Sequence, residues 1–331
     1  MNPAVLPTFS IIYETENLAS LKLENIYPSL DSLVGQDLPV TEANEFFIMD
    51  SGDVPDQTLK DLCAKYPWIQ TRKIDPDLGY YEAKMKGAGM VTGEILLLCD
   101  SDCIYEKNWL RNILTFFAEH KEASIVAGET STRIQNPYEM AIAMSYFFPR
   151  YTGKKEAYEE AHYFCNNVGF LRQFLLNNPI PPALPFFRGN CLVHAFSLHY
   201  LEGKKIWKHP GARALHEPPE IKFSFWRHLL LGRDRVLRKK MLAELAEKAG
   251  KPGVGSQTKG SWWVRVLKVF EIPQIFSVLK ENPWRWLLLP FALPIALLLS
   301  LLFHLGCLIT HFNQDYLLEE YNRYEKKRKG V

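Results

Sequence analysis

Short apolar segments alternate with helix-like segments over the first two-thirds of this 331-residue chain, and this alternation constrains its fold most strongly. Such an alternation is typical of a mostly parallel sheet with helices packed on its faces. Ligands of these sheets bind beyond the carboxyl ends of the strands, so polar side chains at strand ends become candidates for function. The predicted strands are 9–13, 45–49, 70–74, 95–99 and 124–127, and the predicted helices are 18–33, 56–66, 80–90 and 107–120.

Two aspartates directly follow the most apolar of these strands. If the backbone stays extended there, Asp100 and Asp102 point to the same side of the sheet, because side chains alternate with a period of two. Two carboxylates on one side suit Mg²⁺ or Mn²⁺ and leave positions for a diphosphate. The alternative is a solvated turn. Asp75 and Asp77 have the same spacing, but they follow a weak strand and flank a proline, so we interpret that pair as a loop.

A further strand end and a small-residue helix offer polar groups. Asp50 ends an apolar strand and Gly52 opens the next turn, so Asp50 is placed either to contact a nucleotide or to shape the turn. The segment 79–94 is rich in small residues, which favours close packing on the sheet or close approach to a ligand. Within it, Lys84 is either a phosphate-binding cation or a solvated side chain.

The order and spacing of these segments resemble the nucleotide-sugar domain of family-2 glycosyltransferases, which have the GT-A fold. The resemblance covers about residues 8–218 and is most specific in its first half. In that family a first strand, an acidic strand end with a glycine turn, a Gly-x-x-x-Ala helix, a Gly-Glu pair and an Asp-x-Asp strand follow one another. The matching residues are 9–17, Asp50 with Gly52, Gly79 with Ala83, Lys84 and Gly87, Gly93 with Glu94, and Asp100 with Asp102.

This resemblance implies roles for the strand-end residues. Asp50 would contact the uridine or another base, Asp100 the ribose and the metal, and Asp102 the divalent metal that bridges the diphosphate. Lys84 stands where the family usually has an arginine, which keeps a cation but loses the planar fork. Met85 replaces the usual asparagine, so one polar contact of the family pattern is missing here.

The second half of the resemblance departs from the family pattern. The Glu-Asp pair that commonly supplies the base for the acceptor hydroxyl is missing, and Glu217 is the candidate replacement, with Glu129 a weaker one. His216 resembles the family position that can complete the metal site, and a neutral imidazole beside two carboxylates suits Mn²⁺. The alternative for His216 is an ordinary loop residue.

A second constraint comes from the apolar run 286–309, in which His304 is the one strongly polar side chain. Its length matches the hydrocarbon thickness of a bilayer, so we expect membrane contact, with a buried core helix as the alternative. Because Pro290 and Pro294 interrupt the helical hydrogen bonds, a kinked span or a re-entrant segment is as compatible with the sequence as a straight helix. Basic residues lie on both sides of the run, so charge does not decide its topology.

Composition limits the remaining possibilities. The net charge of +2 argues against nucleic acid as the main partner, and the six cysteines have no CxxC spacing, which argues against a zinc or redox site. The amino terminus lacks the pattern of a signal peptide. The predicted organisation is a GT-A domain (1–220), a basic helical segment facing phosphate, anionic lipid or water (221–250), a hinge (251–260), an interfacial segment (261–283), a transmembrane or re-entrant segment (284–312) and a charged tail (313–331).

The resemblance implies a metal-dependent, inverting hexosyltransferase-type enzyme (EC 2.4) that uses a nucleotide diphosphate sugar and a glycan or lipid-linked hydroxyl acceptor. Because such donors are cytosolic, we expect a membrane protein whose catalytic domain is cytoplasmic. A polyprenyl-phosphate sugar transferase is an alternative, since a phosphate acceptor needs no hydroxyl base. An alternative of another class is a non-catalytic membrane scaffold that retains the fold.

Overall fold

The computed structural model describes residues 5–14, 23–52, 54–145, 148–254 and 272–329. The predicted interfacial segment therefore lies partly, and the predicted hinge mostly, outside the described residues. The chain divides into two compact units that interleave along the sequence. The first unit comprises Met1–Thr130, Tyr151–Ala183 and Asn190–Glu217, and the second comprises Ser131–Arg150, Leu184–Gly189 and Pro218–Val331. The predicted boundary near residue 220 is thus close to one unit boundary, but two earlier segments belong to the second unit.

The first unit is built on a mixed sheet whose strand order is β3-β2-β1-β4-β8-β6-β9-β5, with β7 paired to β9. β1 pairs in parallel with β2 and β4, and β2 pairs in parallel with β3. Beyond β4 the described pairings are antiparallel, so the parallel part is confined to the first four strands of the order. The strands are β1 (Phe9–Glu14), β2 (Phe46–Asp50), β3 (Gln70–Lys73), β4 (Ile95–Asp100), β5 (Cys103–Tyr105), β6 (Ile125–Thr132), β7 (Tyr158–Glu159), β8 (Asn167–Leu171) and β9 (Trp207–His216).

Helices cover both faces of this sheet, which explains why β4 is apolar at consecutive positions rather than at alternate ones. Leu97 lies in the core on one face, with residues of α1, α2 and α4, whereas Leu96 and Leu98 lie in the core on the other face, with residues of α3, α6 and α7. The helices are α1 (Leu23–Val34), α2 (Asp56–Lys65), α3 (Tyr80–Ala88), α4 (Trp109–Glu119), α5 (Pro137–Ser145), α6 (Arg172–Asn177), α7 (Asn190–Phe196), α8 (Ile221–Lys248), α9 (Ile272–Glu281), α10 (Leu289–Phe312) and α11 (Tyr316–Lys329).

The second unit is helical and includes α5, α8, α9, α10 and α11. α10 corresponds to the apolar run, has a mean hydropathy of 2.3 in its most apolar window and is the one described helix long and apolar enough to cross a membrane. Only 28% of that window is buried, so α10 is not the enclosed core helix weighed as an alternative. Pro290 lies in its first turn, where a proline is tolerated, and Pro294 lies inside the helix.

Candidate functional site

Strand pairing brings together three predicted site residues that are far apart in sequence. β5 pairs with β9 in the antiparallel sense, and Cys103 lies opposite His216. As a result, the Oδ2 atom of Asp102 lies 3.1 Å from the Nε2 atom of His216. The backbone N–H of Glu217 donates to the carbonyl oxygen of Asp102 at 2.8 Å. Ser101 and Asp102 separate β4 from β5, so the pairing of β5 with β9 brings the end of β9 beside the Asp-x-Asp segment.

The pair formed by Asp102 and His216 has the chemistry of a metal site. Burial by itself would raise the pKa of Asp102, but the charge of His216 and its hydrogen bond outweigh that effect and lower the pKa. An ionised carboxylate oxygen and an imidazole nitrogen are both ligands that Mn²⁺ accepts. Within the described ranges, no three His, Cys, Asp or Glu side chains cluster closely enough to hold a metal. A divalent cation bound here would therefore have Asp102 and His216 as its candidate protein ligands, and their metal role stays a prediction.

Asp100 lies in a different environment from Asp102. Its Oδ1 atom accepts a hydrogen bond from the Lys84 ammonium at 2.8 Å, and the Tyr80 hydroxyl donates to Oδ1 at 3.0 Å and to Oδ2 at 2.8 Å. Burial raises the pKa of Asp100, the Lys84 charge opposes that shift, and the Asp102 charge adds to it. The Asp100 carboxylate thus forms a buried ion pair, and its predicted contacts with the ribose and the metal stay predictions.

Lys84 is completely buried. The sequence predicted either a phosphate-binding cation or a solvated side chain, and the burial agrees with neither prediction. Its ammonium donates to the Cys99 carbonyl at 3.1 Å as well as to Asp100. The helix α3 can lie this close to the sheet because Gly87 has no side chain. A Cβ at that position would be 2.6 Å from the Cδ1 of Ile12. Lys84 is therefore the buried counter-ion of Asp100 and contacts the candidate site through that carboxylate.

Tyr80 is a site residue that the sequence reasoning missed. It lies one helical turn before Lys84, so both side chains lie on the same face of α3 and reach the same carboxylate. The signal in the sequence was this spacing of four between a tyrosine and the only family-matched cation. The aromatic ring also lies 4.8 Å from the Lys84 ammonium, which favours the charged form of the lysine.

Asp50 lies at the carboxyl end of β2, and Asp100 lies at the carboxyl end of β4, so the parallel strand β1 separates the two residues. The side chain of Asp50 is buried, and its Oδ1 accepts a hydrogen bond from the backbone N–H of Gly52 at 2.9 Å. Gly52 has a φ of 85°, a conformation that favours glycine. Asp50 therefore shapes the turn, and its predicted contact with a base stays a prediction.

Glu129 is less suited than Glu217 to accept a proton from an acceptor. It is buried, and its carboxylate accepts hydrogen bonds from the Thr152 backbone and hydroxyl groups and from the Tyr158 hydroxyl. The guanidinium of Arg213 lies 3.9 Å from the same carboxylate. These contacts indicate that Glu129 holds the segment after residue 150 against β9 within the first unit.

Asn166 and Asn167, at the start of β8, connect neighbouring segments of the sheet through hydrogen bonds. Asn167 accepts a hydrogen bond from the Trp109 indole at 2.7 Å, and its amide nitrogen donates to the Glu129 and Ala212 carbonyl oxygens, each at 3.2 Å. The carbonyl of Asn166 accepts from the Tyr105 hydroxyl at 2.8 Å. Both asparagines are buried, so their main contribution is to the packing of the sheet.

A family model described as Glycosyl transferase family 2 matches residues 20–178, just under half of the chain. This match includes Asp50, Lys84, Asp100 and Asp102 but not His216. It confirms the resemblance inferred from the order of the motifs. Comparison with curated protein sequences gave no match.

Two solved structures are similar to this chain in fold. GalNAc-T7 with UDP, GalNAc and Mn²⁺ has a TM-score of 0.53 and 12% identity, over 85% of this chain and 57% of that one. The mannosyltransferase PcManGT from Pyrobaculum calidifontis, in complex with GDP-Man and Mn²⁺, has a TM-score of 0.56 and 15% identity, over 94% of this chain and 88% of that one. The chain thus spans little more than half the length of the first relative. The predicted GT-A fold is confirmed.

Proposed function

We propose that this chain, which has the GT-A fold and matches the family-2 glycosyltransferase model over residues 20–178, transfers a sugar from a nucleotide diphosphate sugar to an acceptor hydroxyl. The observation that carries the proposal is the contact between Asp102 and His216, 3.1 Å apart at the end of the sheet where such folds bind ligands. The complexes of the two similar structures, with UDP or GDP-Man and with Mn²⁺, support a nucleotide donor and a divalent cation. Mg²⁺ is the alternative cation.

In this proposal each strand-end residue has one task. Asp102 and His216 hold the cation, which when bound neutralises charge on the leaving diphosphate. Asp50 contacts the base of the nucleotide, and Asp100 contacts the ribose and stands beside the cation. Lys84 and Tyr80 hold the Asp100 carboxylate in place through their hydrogen bonds.

Glu217 is the proposed general base. Its backbone N–H donates to the Asp102 carbonyl, which places the residue next to the candidate cation site. In an inverting displacement the acceptor oxygen forms a bond to the anomeric carbon, while the bond from that carbon to the diphosphate oxygen breaks. Glu217 takes the proton of the acceptor hydroxyl, and the nucleoside diphosphate leaves with the bonding electrons.

Membrane attachment and a cytoplasmic catalytic domain complete the proposal. Several large apolar side chains of α10 are exposed, which supports contact with lipid. Nucleotide sugars are made in the cytosol, which supports a cytoplasmic catalytic domain. The acceptor is then a glycan or a lipid-linked sugar.

A polyprenyl phosphate is the second candidate acceptor. Two observations favour it: the family's Glu-Asp pair is missing from the sequence, and the exposed apolar face of α10 suits a protein that works at a membrane. A phosphate acceptor is already ionised and needs no base, so turnover would not depend on the Glu217 carboxylate. A scaffold without turnover is the remaining alternative.

The donor is tested by thermal unfolding of the purified full chain with a panel of nucleotide diphosphate sugars and Mn²⁺ or Mg²⁺. We expect one nucleotide to raise the melting temperature in the presence of the cation. Absence of any shift across the panel would contradict the proposal. A shift without hydrolysis or transfer to any acceptor would instead favour the scaffold.

The site is tested by substituting the second aspartate in each of the two Asp-x-Asp segments, Asp102 in one and Asp77 in the other. Asp102→Asn should reduce metal-dependent turnover of the donor by about 100-fold or more, because it removes an ionised ligand and its charge. Asp77→Asn changes the exposed second Asp-x-Asp pair and should leave turnover unchanged. Equal turnover in the two variants would rule out the assigned site.

A further inference from the structure

The apolar helix α10 has two opposite faces, and one of them is exposed along its whole length. Phe291, Leu301 and Phe312 lie near its start, middle and end, and they are 67%, 64% and 84% exposed. The exposed large apolar residues lie on one side of the helix, at spacings of one to four positions, and form a stripe that also includes the exposed His304. The exposed stripe comprises Phe291, Leu293, Leu297, Leu298, Leu301, Leu305, Leu308 and Phe312, and the opposite face comprises the buried residues Ala292, Ala296, Leu299, Leu302, Gly306 and Thr310.

The buried face of α10 is in backbone contact with α8. A Cβ on Gly306 would lie 2.1 Å from the Leu229 carbonyl oxygen, and a Cβ on Gly232 would lie 2.0 Å from the Phe303 carbonyl oxygen. The thiol of Cys307 also donates to the Gly232 carbonyl at 3.3 Å. Because both sides of the crossing are glycines, α10 and α8 pack as one rigid layer within the second unit.

α8 carries charges at this crossing. Arg233 and Asp234 are both buried and lie 3.2 Å apart, and the exposed Arg235 holds its guanidinium 5.4 Å from the Phe303 ring. Residues 303–307 lie within about 10 Å of the middle of α10, given a rise of 1.5 Å per residue. The Arg233 guanidinium reaches Gln314, beyond the end of α10, but a bilayer-spanning orientation of α10 would place the Arg235 guanidinium, beside Phe303, inside the hydrocarbon layer, where ionised groups are strongly disfavoured.

Both flanks of α10 are tied to the same helical unit. Before α10, the Gln274 amide donates to the Ala143 and Phe148 carbonyl oxygens, each at 3.1 Å, and the Arg150 guanidinium is paired with Glu281. After α10, the Arg233 guanidinium donates to the Gln314 carbonyl at 2.6 Å. Polar contacts therefore hold both ends of α10 to other segments of the second unit.

We infer that α10 lies in the plane of an anionic membrane surface, with its exposed stripe in the outer hydrocarbon and its α8 side toward water. This inference rests on the membrane attachment proposed above and specifies its geometry. The exposed Trp284 and Trp286, just before α10, suit the interface between headgroups and hydrocarbon. Exposed Lys280, Lys326 and Lys327 flank the helix in sequence and complement anionic headgroups.

Depth measurements test the orientation. Single spin labels at Phe291→Cys, Leu298→Cys, Leu305→Cys and Phe312→Cys share the stripe, because seven residues make almost two full turns. The full chain is bound to phosphatidylcholine–phosphatidylglycerol vesicles, and the accessibility of each label to oxygen and to a water-soluble nickel complex is measured. The in-plane helix predicts four equal, shallow depths. Depths that differ by about 10 Å between successive labels, with a maximum in the middle, would overturn the inference.

The labels require a background without competing thiols. Cys63 and Cys307 are the partly exposed native cysteines among those described, so both are changed to alanine, and the other four are buried. A vesicle flotation assay confirms that this background still binds membranes before any depth is interpreted. A background that unfolds, as judged by circular dichroism, is replaced by Cys63→Ser with Cys307→Val.

Flotation separates attachment from orientation. The double variant Leu298→Asp with Leu305→Asp should no longer float with anionic vesicles, whereas Met90→Asp, which changes an exposed apolar residue of the first unit, should still float. Flotation of the double variant would overturn the inference. A wild-type chain that forms a dimer covering the stripe and does not float would overturn membrane attachment as well. If the wild-type chain floats and its four labels have equal depths but it does not turn over any donor, the result would contradict the proposed chemistry and leave the orientation of α10 intact.

Discussion

At the scale of single residues, the state of Asp100 depends on a lysine sixteen positions earlier in the chain. Lys84 has no exposed surface, and its ammonium lies 2.8 Å from the Asp100 carboxylate. A buried ion pair contributes little net stability, but removal of one partner leaves the other charge buried without compensation. The lysine that replaces the family's usual arginine is thus part of the structure of the site.

Lys84→Met should destabilise the protein strongly. We expect a loss of about 3–5 kcal/mol in the free energy of unfolding, measured by urea denaturation, because Asp100 loses its buried counter-ion. Lys86→Met, two residues along the same helix and exposed, should change stability by less than about 0.5 kcal/mol. The double variant Lys84→Met with Asp100→Asn should recover part of the loss. Equal stability of the two single variants would show that the ion pair is unimportant.

Glu217→Gln should separate binding from turnover. If Glu217 is the base for a hydroxyl acceptor, the change lowers kcat by about 100-fold or more, while the nucleotide still raises the melting temperature. Glu220→Gln alters an exposed carboxylate three residues further along and should leave kcat unchanged. An unchanged kcat for Glu217→Gln would favour the polyprenyl phosphate acceptor or assign the base to another group.

At the scale of elements, the crossing of α8 and α10 depends on two glycines that leave no room for a methyl group. Gly306→Ala should push the helices apart, because the added carbon would overlap the Leu229 carbonyl, and should cost about 1–3 kcal/mol. The loss is read as a fall in the melting temperature. Gly89→Ala is the matched control, since its Cβ would make an ordinary contact at 3.5 Å. Equal melting temperatures would mean that the crossing adapts.

The sequence was sufficient to predict strands β1–β4 and β6 and helices α1–α4 of the first unit, because apolar periodicity and turn residues act locally. The predicted strand 95–99 and helix 80–90 agree with β4 and α3 to within two residues. The family pattern also pointed to the contact between Asp102 and His216, which β5 and β9 then bring about. The sheet was predicted to be mostly parallel, and its antiparallel pairings beyond β4 were not predicted, because they join segments that are far apart in sequence.

The burial of Lys84 and the role of Tyr80 were not predictable either. A lysine in a small-residue helix is normally solvated, and its burial here depends on how closely Gly87 lets α3 approach Ile12. That distance is a property of packing between elements and has no counterpart in a one-dimensional pattern. The buried face of α10 was not predictable for the same reason, since composition shows that the segment is apolar but not which helix packs against it.

At the scale of the whole molecule, acid should destabilise the fold through buried histidines. Burial lowers the pKa of His194 and His228 to about 4 and also lowers that of His209. The unfolded chain, with a histidine pKa near 6.5, binds more protons between pH 6.5 and 4, so stability is complete above that range and is lost as pH falls through it.

We expect the free energy of unfolding to fall by about 2 kcal/mol for each of His194 and His228 between pH 6.5 and pH 5. Urea denaturation at constant ionic strength measures this loss. His194→Gln should reduce the slope against pH, because one proton-binding site of the unfolded chain disappears. A free energy that stays constant from pH 7 to pH 5 would contradict the prediction.

The interleaving of the units has a consequence for truncation. Segment 131–150 belongs to the second unit, where Gln274 and Glu281 bind it. A chain ending at residue 220 should therefore be cut rapidly by proteases within 131–150, whereas a chain ending at residue 325 should be as resistant as the full chain. Limited proteolysis followed by mass spectrometry distinguishes the two. Equal resistance of the shorter chain would show that this segment needs no partner.

The hydrogen bonds of Asp100 also bear on how a cation is retained between turnovers. Lys84 and Tyr80 already donate hydrogen bonds to that carboxylate, and in the proposed site the protein ligands of the cation are Asp102 and His216. A cation with two protein ligands owes most of its affinity to the oxygens of the donor's diphosphate. The cation would accordingly enter and leave with the nucleotide, so the purified protein should contain little bound manganese, and product release should return the metal to solution.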